Sequence, residues 1–121
     1  MTLVSFGYKY GLPLDADLVF DVRFLPNPYY IEELRELTGA DPAVAEYLDR
    51  LPETRTFLQH TETMLDFLIP KFIEEGKTHL TIAIGCTGGR HRSVYISRAL
   101  QRHLSENSRL DVDLVDRDIA Q

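Results

Sequence analysis

The chain has 121 residues, 44% of them hydrophobic, and a formal net charge of −6. This is enough apolar material for one compact domain spanning residues 1–121, while the negative charge opposes broad attraction to nucleic acid or an anionic membrane. Cys86 is the only cysteine, which excludes an intrachain disulfide and favours a reducing, cytoplasmic setting. No apolar run approaches the roughly 18 residues that span a bilayer, so no membrane partner is expected.

The first part of the chain predicts two β-strands. Apolar residues at 3–6 form the first, and residues 18–24 form the second, which the turn Pro26, Asn27, Pro28 closes. After this turn the apolar positions change from strand spacing to helical spacing.

Three helices are expected in the middle of the chain. The first covers residues 31–37, and the second follows Asp41, which is a suitable cap because a proline comes after it. The third begins near Pro52 and stops at Gly76, with a kink expected at Pro70 inside it.

The last part of the chain returns to strand, helix and strand. Residues 80–84 form a mainly apolar run rich in β-forming residues, as in the buried middle of a parallel sheet. A helix is predicted from Ser93 onward and a final strand at residues 112–115. This alternation predicts an α/β domain, a three-layer sandwich with a mostly parallel central sheet.

The segment between the residue 80–84 strand and the following helix has the features of an oxyanion loop. Gly85, Gly88 and Gly89 lack Cβ atoms, so backbone N–H groups can approach an anion, and the helix directs its positive end at the same place. Three basic residues follow: Arg90, His91 and Arg92. Loops at the carboxyl ends of strands bind ligands in open α/β sheets. We therefore predict a phosphate site over residues 85–93.

A cysteine-dependent phosphatase is the alternative for the same residues. Cys86 and Arg92 stand in the spacing C-x5-R, followed by Ser93, which suits a thiolate nucleophile beside a phosphate-holding guanidinium. Against this alternative, no histidine precedes Cys86 and no aspartate able to protonate the leaving group is evident. The sequence also contains neither glycine pattern of the common nucleotide-binding loops, and a small buried cysteine at a strand end is the simpler interpretation of Cys86.

Several segments together resemble the C-terminal domain of the RapZ/YvcJ family, and the resemblance covers almost the whole chain. They are Ser5-Phe6-Gly7-Tyr8-Lys9-Tyr10-Gly11-Leu12-Pro13, Asp15-Ala16-Asp17, Phe20-Asp21-Val22-Arg23-Phe24-Leu25-Pro26-Asn27-Pro28, Thr38-Gly39, and Ala83-Ile84-Gly85-Cys86-Thr87-Gly88-Gly89-Arg90-His91-Arg92-Ser93-Val94. Family members carry an additional N-terminal P-loop kinase-like domain.

The resemblance implies a fold similar to a half of phosphofructokinase and a binding role rather than catalysis. In the enterobacterial member this domain binds the amino-sugar phosphate glucosamine-6-phosphate and presents a small regulatory RNA to the endonuclease RNase E. The partners implied are thus a phosphorylated sugar metabolite, a small RNA with an RNase, and further copies of the chain in a homo-oligomer. No cofactor is implied.

Carried over by position, the resemblance also implies ligand-binding residues. Those around the phosphate are Thr87, Gly88, Gly89, His91, Arg92 and Ser93, together with the adjacent Cys86 and Arg90. Asp21 and Arg23 are expected to line the same cleft, and Lys9 to lie nearby. Tyr8, Lys9 and Tyr10 could stack on a ligand and neutralise its charge, but aromatics beside a turn more often anchor the core, and at least one of the two tyrosines is expected to do so.

Two departures from the enterobacterial pattern weaken the RNA part of the resemblance. Tyr29 stands where that pattern has a histidine, and residues 115–121 are acidic where it ends in basic residues. An acidic tail cannot release counterions from phosphates. The aspartates at 111, 113, 116 and 118 are expected to form a solvated strand face, and the scattered histidines predict no metal site.

Overall fold

The computed structural model of the chain describes residues 1–108 and 110–121. Within these ranges strands alternate with helices along the chain. The strands are β1 (Thr2–Gly7), β2 (Leu18–Asp21), β3 (Thr81–Cys86) and β4 (Asp113–Asp116). The α-helices are α1 (Glu32–Arg35), α2 (Pro42–Asp49), α3 (Pro52–Glu74) and α4 (Arg92–Ser108). Two 3-10 helices, Tyr8–Tyr10 and Pro28–Tyr30, follow β1 and β2.

The strands form one parallel sheet in the order β2-β3-β1-β4. The central strand β3 pairs with β1 from Thr2 opposite Thr81 to Gly7 opposite Cys86. Helices flank this sheet, which confirms the predicted α/β class with a mostly parallel sheet. Because all strands are parallel, their carboxyl ends meet at one edge, and the segments that follow β1, β2 and β3 lie there side by side.

The main core lies on the sheet face that carries Leu3, Ile82 and Ile84. These side chains pack with apolar residues of the longer helices, among them Leu65 of α3 and Leu100 of α4, both fully buried. The opposite face of the sheet is covered by fewer side chains. Here Phe6 of β1 and Tyr8 of the first 3-10 helix cover one end, and their ring centres lie 4.8 Å apart. The valines Val19 and Val115 further along remain 43% and 45% exposed.

All four strands differ from their predicted bounds by one to three residues, and two of these differences affect the site. β2 ends at Asp21 rather than at residue 24, because the Asp21 carboxylate accepts the backbone N–H of Arg23 at 2.9 Å and turns the chain. β3 continues past residue 84 through Gly85 and Cys86, which pair with β1. The predicted loop is therefore shorter than residues 85–93.

The predicted helices are present, with small shifts at their ends. α3 begins at Pro52 and ends at Glu74 with Pro70 inside it, and α2 likewise has its proline in the first turn. Asp41 precedes α2, but its carboxylate accepts the N–H and hydroxyl of Thr38 instead of capping the helix. No helix in the described ranges is long and apolar enough to cross a membrane.

The prediction that the C-terminal aspartates form a solvated face is wrong for two of them. Asp118 is 4% exposed and accepts the backbone N–H of Gly7 at 2.8 Å. Asp116 accepts the hydroxyl of Ser5 at 2.8 Å and pairs with Arg98 at 2.9 Å. The acidic segment therefore fastens the end of the chain to β1 rather than standing in solvent.

Candidate functional site

A cavity of about 300 Å³ opens at the carboxyl edge of the sheet. The segments after β1, β2 and β3 supply nearly all of its lining, as expected for the edge where parallel strands end. Its lining residues are Lys9, Tyr10, Asn27, Tyr29, Tyr30, Cys86, Thr87, Gly88, Arg90, His91, Arg92 and Gln121. None of these carries a carboxylate side chain, while three of them, Lys9, Arg90 and Arg92, are cationic. The cavity is thus suited to an anion.

The loop of residues 87–91, here called the anion loop, joins β3 to α4 in a tight bend. Gly89 has φ +77, a conformation that side chains rarely adopt, and a Cβ on it would overlap the backbone of Phe6 and Gly7. Gly88 has open space where a Cβ would be, and it lines the cavity. Close packing against β1 therefore requires a glycine at position 89, whereas Gly88 leaves its backbone accessible to a ligand.

Gly85 has a different function from the one predicted. It lies in β3, and a Cβ there would overlap the rings of Phe6 and Tyr8 on the thinly covered face. Its missing side chain makes room for this aromatic pair rather than for an anion.

Arg92 is the first residue of α4 and is 3% exposed. Its Nη1 donates to the carbonyl oxygens of Arg23 and Leu25, both at 2.8 Å, and Nη2 donates to Thr87 Oγ1 at 3.3 Å. Its Nε is buried without a hydrogen-bond partner among the described residues. Arg92 therefore ties the segment after β2 to the anion loop and keeps donor capacity on the Nε and Nη2 edge, which is the edge that grips phosphate in two-point contacts.

Arg90 resembles Arg92 in having a buried Nε without a partner in the described part of the chain. Its Nη2 donates to the carbonyl of Glu36 at 3.2 Å, and its own carbonyl accepts the N–H of Gly39 at 2.8 Å. A buried N–H group left without an acceptor costs about 1–3 kcal/mol. Arg90 thus has an unused donor, and it belongs to the residues that line the cavity.

His91 is fastened to the segment around α1. Burial lowers the pKa of His91, and the charge of Arg90 lowers it further, so the ring is neutral near pH 7. Its Nε2 lies 3.2 Å from the carbonyl oxygen of Arg35. Because a carbonyl only accepts, the proton of the neutral ring belongs on Nε2. His91 thus orients the loop and adds no positive charge.

Cys86 lines the cavity but is 2% exposed. Its thiol donates to Ser93 Oγ at 3.2 Å, and Ser93 is fully buried. The phosphatase alternative requires an acid for the leaving group as well as a thiolate. The described residues of the lining include a cysteine but no carboxylic acid.

Asp21 and Arg23 stand beside the cavity and are not among its lining residues. They form an ion pair of 2.6 Å, and the Arg23 guanidinium lies 3.8 Å from the centre of the Tyr8 ring. The hydrogen bond from Arg23 lowers the pKa of Asp21. Lys9 is exposed, lines the cavity and donates its backbone N–H to the carbonyl of Thr87 at 3.3 Å.

The structure brings seven of the predicted residues to the cavity lining: Lys9, Cys86, Thr87, Gly88, Arg90, His91 and Arg92. Gly89 and Ser93 support the loop from behind. The lining also includes Tyr10, for which ligand stacking was one of two interpretations, and four residues that were not predicted as ligand-binding: Asn27, Tyr29, Tyr30 and Gln121. Tyr10, Asn27, Tyr29 and Tyr30 come soon after predicted strand ends, which is the signal that could have identified them, whereas nothing in the sequence pointed to Gln121. Among the described residues, no three His, Cys, Asp or Glu side chains are grouped to hold a metal ion.

A protein-family model described as the RapZ C-terminal domain matches residues 1–120 of the chain. Similar proteins include a nucleotide-binding protein of Sorangium cellulosum, 55% identical over 117 residues, which cover 97% of this chain and 33% of that protein. One of Thermoanaerobacter sp. is 59% identical over 119 residues, 98% of this chain and 42% of the relative. A third, from Desulforudis audaxviator, is 60% identical over 106 residues, which cover 88% of this chain and 36% of that protein. The chain thus spans about a third to two fifths of their length, and it belongs to the RapZ family as its C-terminal domain.

Proposed function

We propose that this domain is a binding module that captures the phosphate group of a small metabolite at the anion loop and relays its presence to a partner. Glucosamine-6-phosphate is the first candidate, because the sequence resembles a family whose enterobacterial member binds it. Related sugar phosphates and nucleotide sugars are the next candidates. The proposed partners are a small regulatory RNA with its RNase, and further copies of the chain.

The observation that carries this proposal is the pair of buried guanidinium Nε groups in Arg90 and Arg92. Both lack a partner in the described part of the chain, and both belong to residues that line the same cavity. Buried polar groups are nearly always satisfied in folded proteins, so an orphaned pair beside a cavity calls for an acceptor. A phosphate has oxygens for both, for the exposed backbone at Gly88 and for the amino-terminal end of α4.

Arg92 also supports the relay. It connects Thr87 Oγ1 in the anion loop with the carbonyls of Arg23 and Leu25 in the segment after β2. A ligand that draws on the Arg92 guanidinium therefore acts on that segment as well. Ligand capture would shift the population between two arrangements of this edge, and a partner surface there would read the difference.

Calorimetric titration with glucosamine-6-phosphate tests the proposal, with glucosamine as the ligand that lacks phosphate. We expect glucosamine-6-phosphate to bind and glucosamine not to bind. Lys9→Gln should weaken binding about fivefold, because an exposed cation near phosphate contributes about 1 kcal/mol. Bound ligand should also raise the melting temperature, since about 2.7 kcal/mol is added to the free energy of unfolding at 100 times Kd.

Lys71→Gln is the matched control, because the Lys71 side chain is 56% exposed on α3 and does not line the cavity. It should bind like the unchanged domain. If no phosphate ester binds, or if glucosamine binds as tightly, the proposal is wrong. Release of inorganic phosphate that disappears in Cys86→Ser would instead establish the phosphatase alternative.

A further inference from the structure

A second cavity, of about 620 Å³, lies between the carboxyl-terminal halves of α3 and α4. α4 begins at Arg92 beside the anion loop and ends at Ser108, and its 17 residues span roughly 25 Å at 1.5 Å per residue. The two cavities are therefore at opposite ends of this helix. We call the second one the acidic groove, and the residues that define it are Leu65, Asp66, Ile69, Ile73, Glu74 and Leu104.

The floor of the acidic groove is apolar and its edge is open to solvent. Leu65 and Leu104 are fully buried, whereas Ile73 at the edge is 54% exposed. Pro70 lines the same groove, and because proline has no N–H, it donates no helical hydrogen bond to the carbonyl of Asp66. The groove thus offers apolar surface together with a backbone oxygen that keeps acceptor capacity.

The electrostatic character of the acidic groove is the opposite of that of the cavity at the anion loop. Its described lining contains the carboxylates of Asp66 and Glu74 and no Lys, Arg or His side chain. His103 Nε2 of α4 lies 2.9 Å from Asp66 Oδ1 of α3, a contact that holds this carboxylate in place. The last turns of both helices also contribute to the lining, and the negative ends of their dipoles favour cations. The groove is therefore complementary to positive charge.

We propose that the acidic groove is a docking site for a basic amphipathic segment of another protein. Apolar side chains of this segment cover the floor, and its Lys or Arg side chains pair with Asp66 and Glu74. Both features are required of the partner, because an apolar segment alone would desolvate the carboxylates without pairing them, and a purely cationic one would leave the floor uncovered. An amphipathic helix with basic flanks meets both conditions.

The proposed partner is distinct from those of the cavity at the anion loop. The described linings of the two cavities have no residue in common, so a segment in the acidic groove does not compete with a captured phosphate. A second copy of the chain suits the groove less well, since each copy has a net charge of −6 and like charges repel.

Fluorescence anisotropy with a labelled peptide of leucine and lysine, in which leucine recurs at helical spacing, tests the charge requirement. The reference peptide has glutamate in place of every lysine. We expect the first peptide to bind and the reference peptide not to bind. Glu74→Lys should weaken binding about fivefold, because it places a cation at the site. Glu75→Lys makes the same change at an exposed neighbour outside the lining, and it should weaken binding by less than about twofold.

A second pair of variants tests the apolar requirement. Ile73→Ser should weaken binding of the leucine–lysine peptide about fivefold, since it removes apolar surface that the peptide would cover. Phe67→Ser is the matched control, because Phe67 is 63% exposed on α3 and lies outside the lining. It should leave the affinity unchanged.

The proposal is overturned if the unchanged domain does not bind the leucine–lysine peptide, or binds both peptides equally. Equal effects of the two variants in either pair would overturn it as well, because they would show attraction to net charge or to any exposed apolar surface. Sedimentation that finds a dimer of the domain, dissociated by Ile73→Ser, would assign the groove to a second copy instead.

Discussion

Arg92 combines two properties that rarely occur together, a position inside the protein and an incompletely used set of donors. At 3% exposure its charge is compensated by carbonyl oxygens and Thr87 rather than by a carboxylate. Interactions with carbonyl dipoles are weaker than an ion pair, so the residue keeps its attraction for an anion. His91 beside it stays neutral because burial lowers its pKa. The positive charge of the loop therefore comes from the arginines.

At this scale the two glycines of the anion loop make a clear comparison. Gly89→Ala should lower the free energy of unfolding by about 1–3 kcal/mol, because the residue has a positive φ and its new Cβ would meet the backbone of Gly7. Gly88→Ala should change it by less than about 1 kcal/mol, since no atom lies within 4 Å of a Cβ there. Urea unfolding measures both. Equal losses in the two variants would contradict this explanation of the bend.

At the scale of elements, the site depends on β1 as much as on β3. Gly7 ends β1 directly beside the anion loop, and a Cβ on it would overlap Gly88 and Gly89. Its N–H is held by Asp118 from the C-terminal segment, and Arg117 in turn donates to Asp118 and to the carbonyl of Gly11. The C-terminal segment thus fixes the wall against which the loop packs.

Removing this connection should destabilise the domain. Asp118→Ala leaves the buried N–H of Gly7 without its acceptor, and we expect a loss of about 1–3 kcal/mol in the free energy of unfolding. Asp113→Ala, an exposed aspartate of β4, serves as the control and should change it by no more than about 0.5 kcal/mol. Thermal and urea unfolding check both. A control that loses as much as Asp118→Ala would show that the anchoring contact has no special importance.

At the scale of the whole molecule, charge limits what RNA binding is available to the domain. The net charge is −6, and the cations at the cavity are Lys9, Arg90 and the buried Arg92. A protein that contacts single-stranded RNA through about two phosphates loses affinity with a slope of roughly −1.4 in a plot of log affinity against log salt. We therefore expect any RNA binding by this domain to be weak and only moderately sensitive to salt.

Fluorescence anisotropy with a short single-stranded RNA between 50 and 200 mM salt measures this slope. We expect a value no steeper than about −2, and Lys9→Gln should reduce its magnitude by about 0.7. Lys71→Gln should leave it unchanged. A slope near −5 would reveal a wide basic surface away from the cavity and would refute the expectation that RNA contacts are limited to the cations at the cavity.

Local pattern was sufficient for the elements and for the loop residues that line the cavity. The apolar run before Gly85 and the helical spacing after Ser93 predicted β3 and α4, and the glycines and arginines between them predicted the anion loop. These signals are short-range, because periodicity, capping and backbone freedom depend on near neighbours in the chain. The exact end of β2 was missed because one side chain, Asp21, turns the chain there.

What only the tertiary structure decided is which distant segments meet. The order β2-β3-β1 places Tyr10 and Tyr29 on either side of the anion loop, and the burial of Arg92 and Asp118 follows from contacts across about 70 and 110 positions of sequence. No local pattern encodes these neighbours. They arise because a parallel sheet gathers the ends of strands that are far apart along the chain, so the chemistry of the loop came from the sequence and the walls of its cavity from the fold.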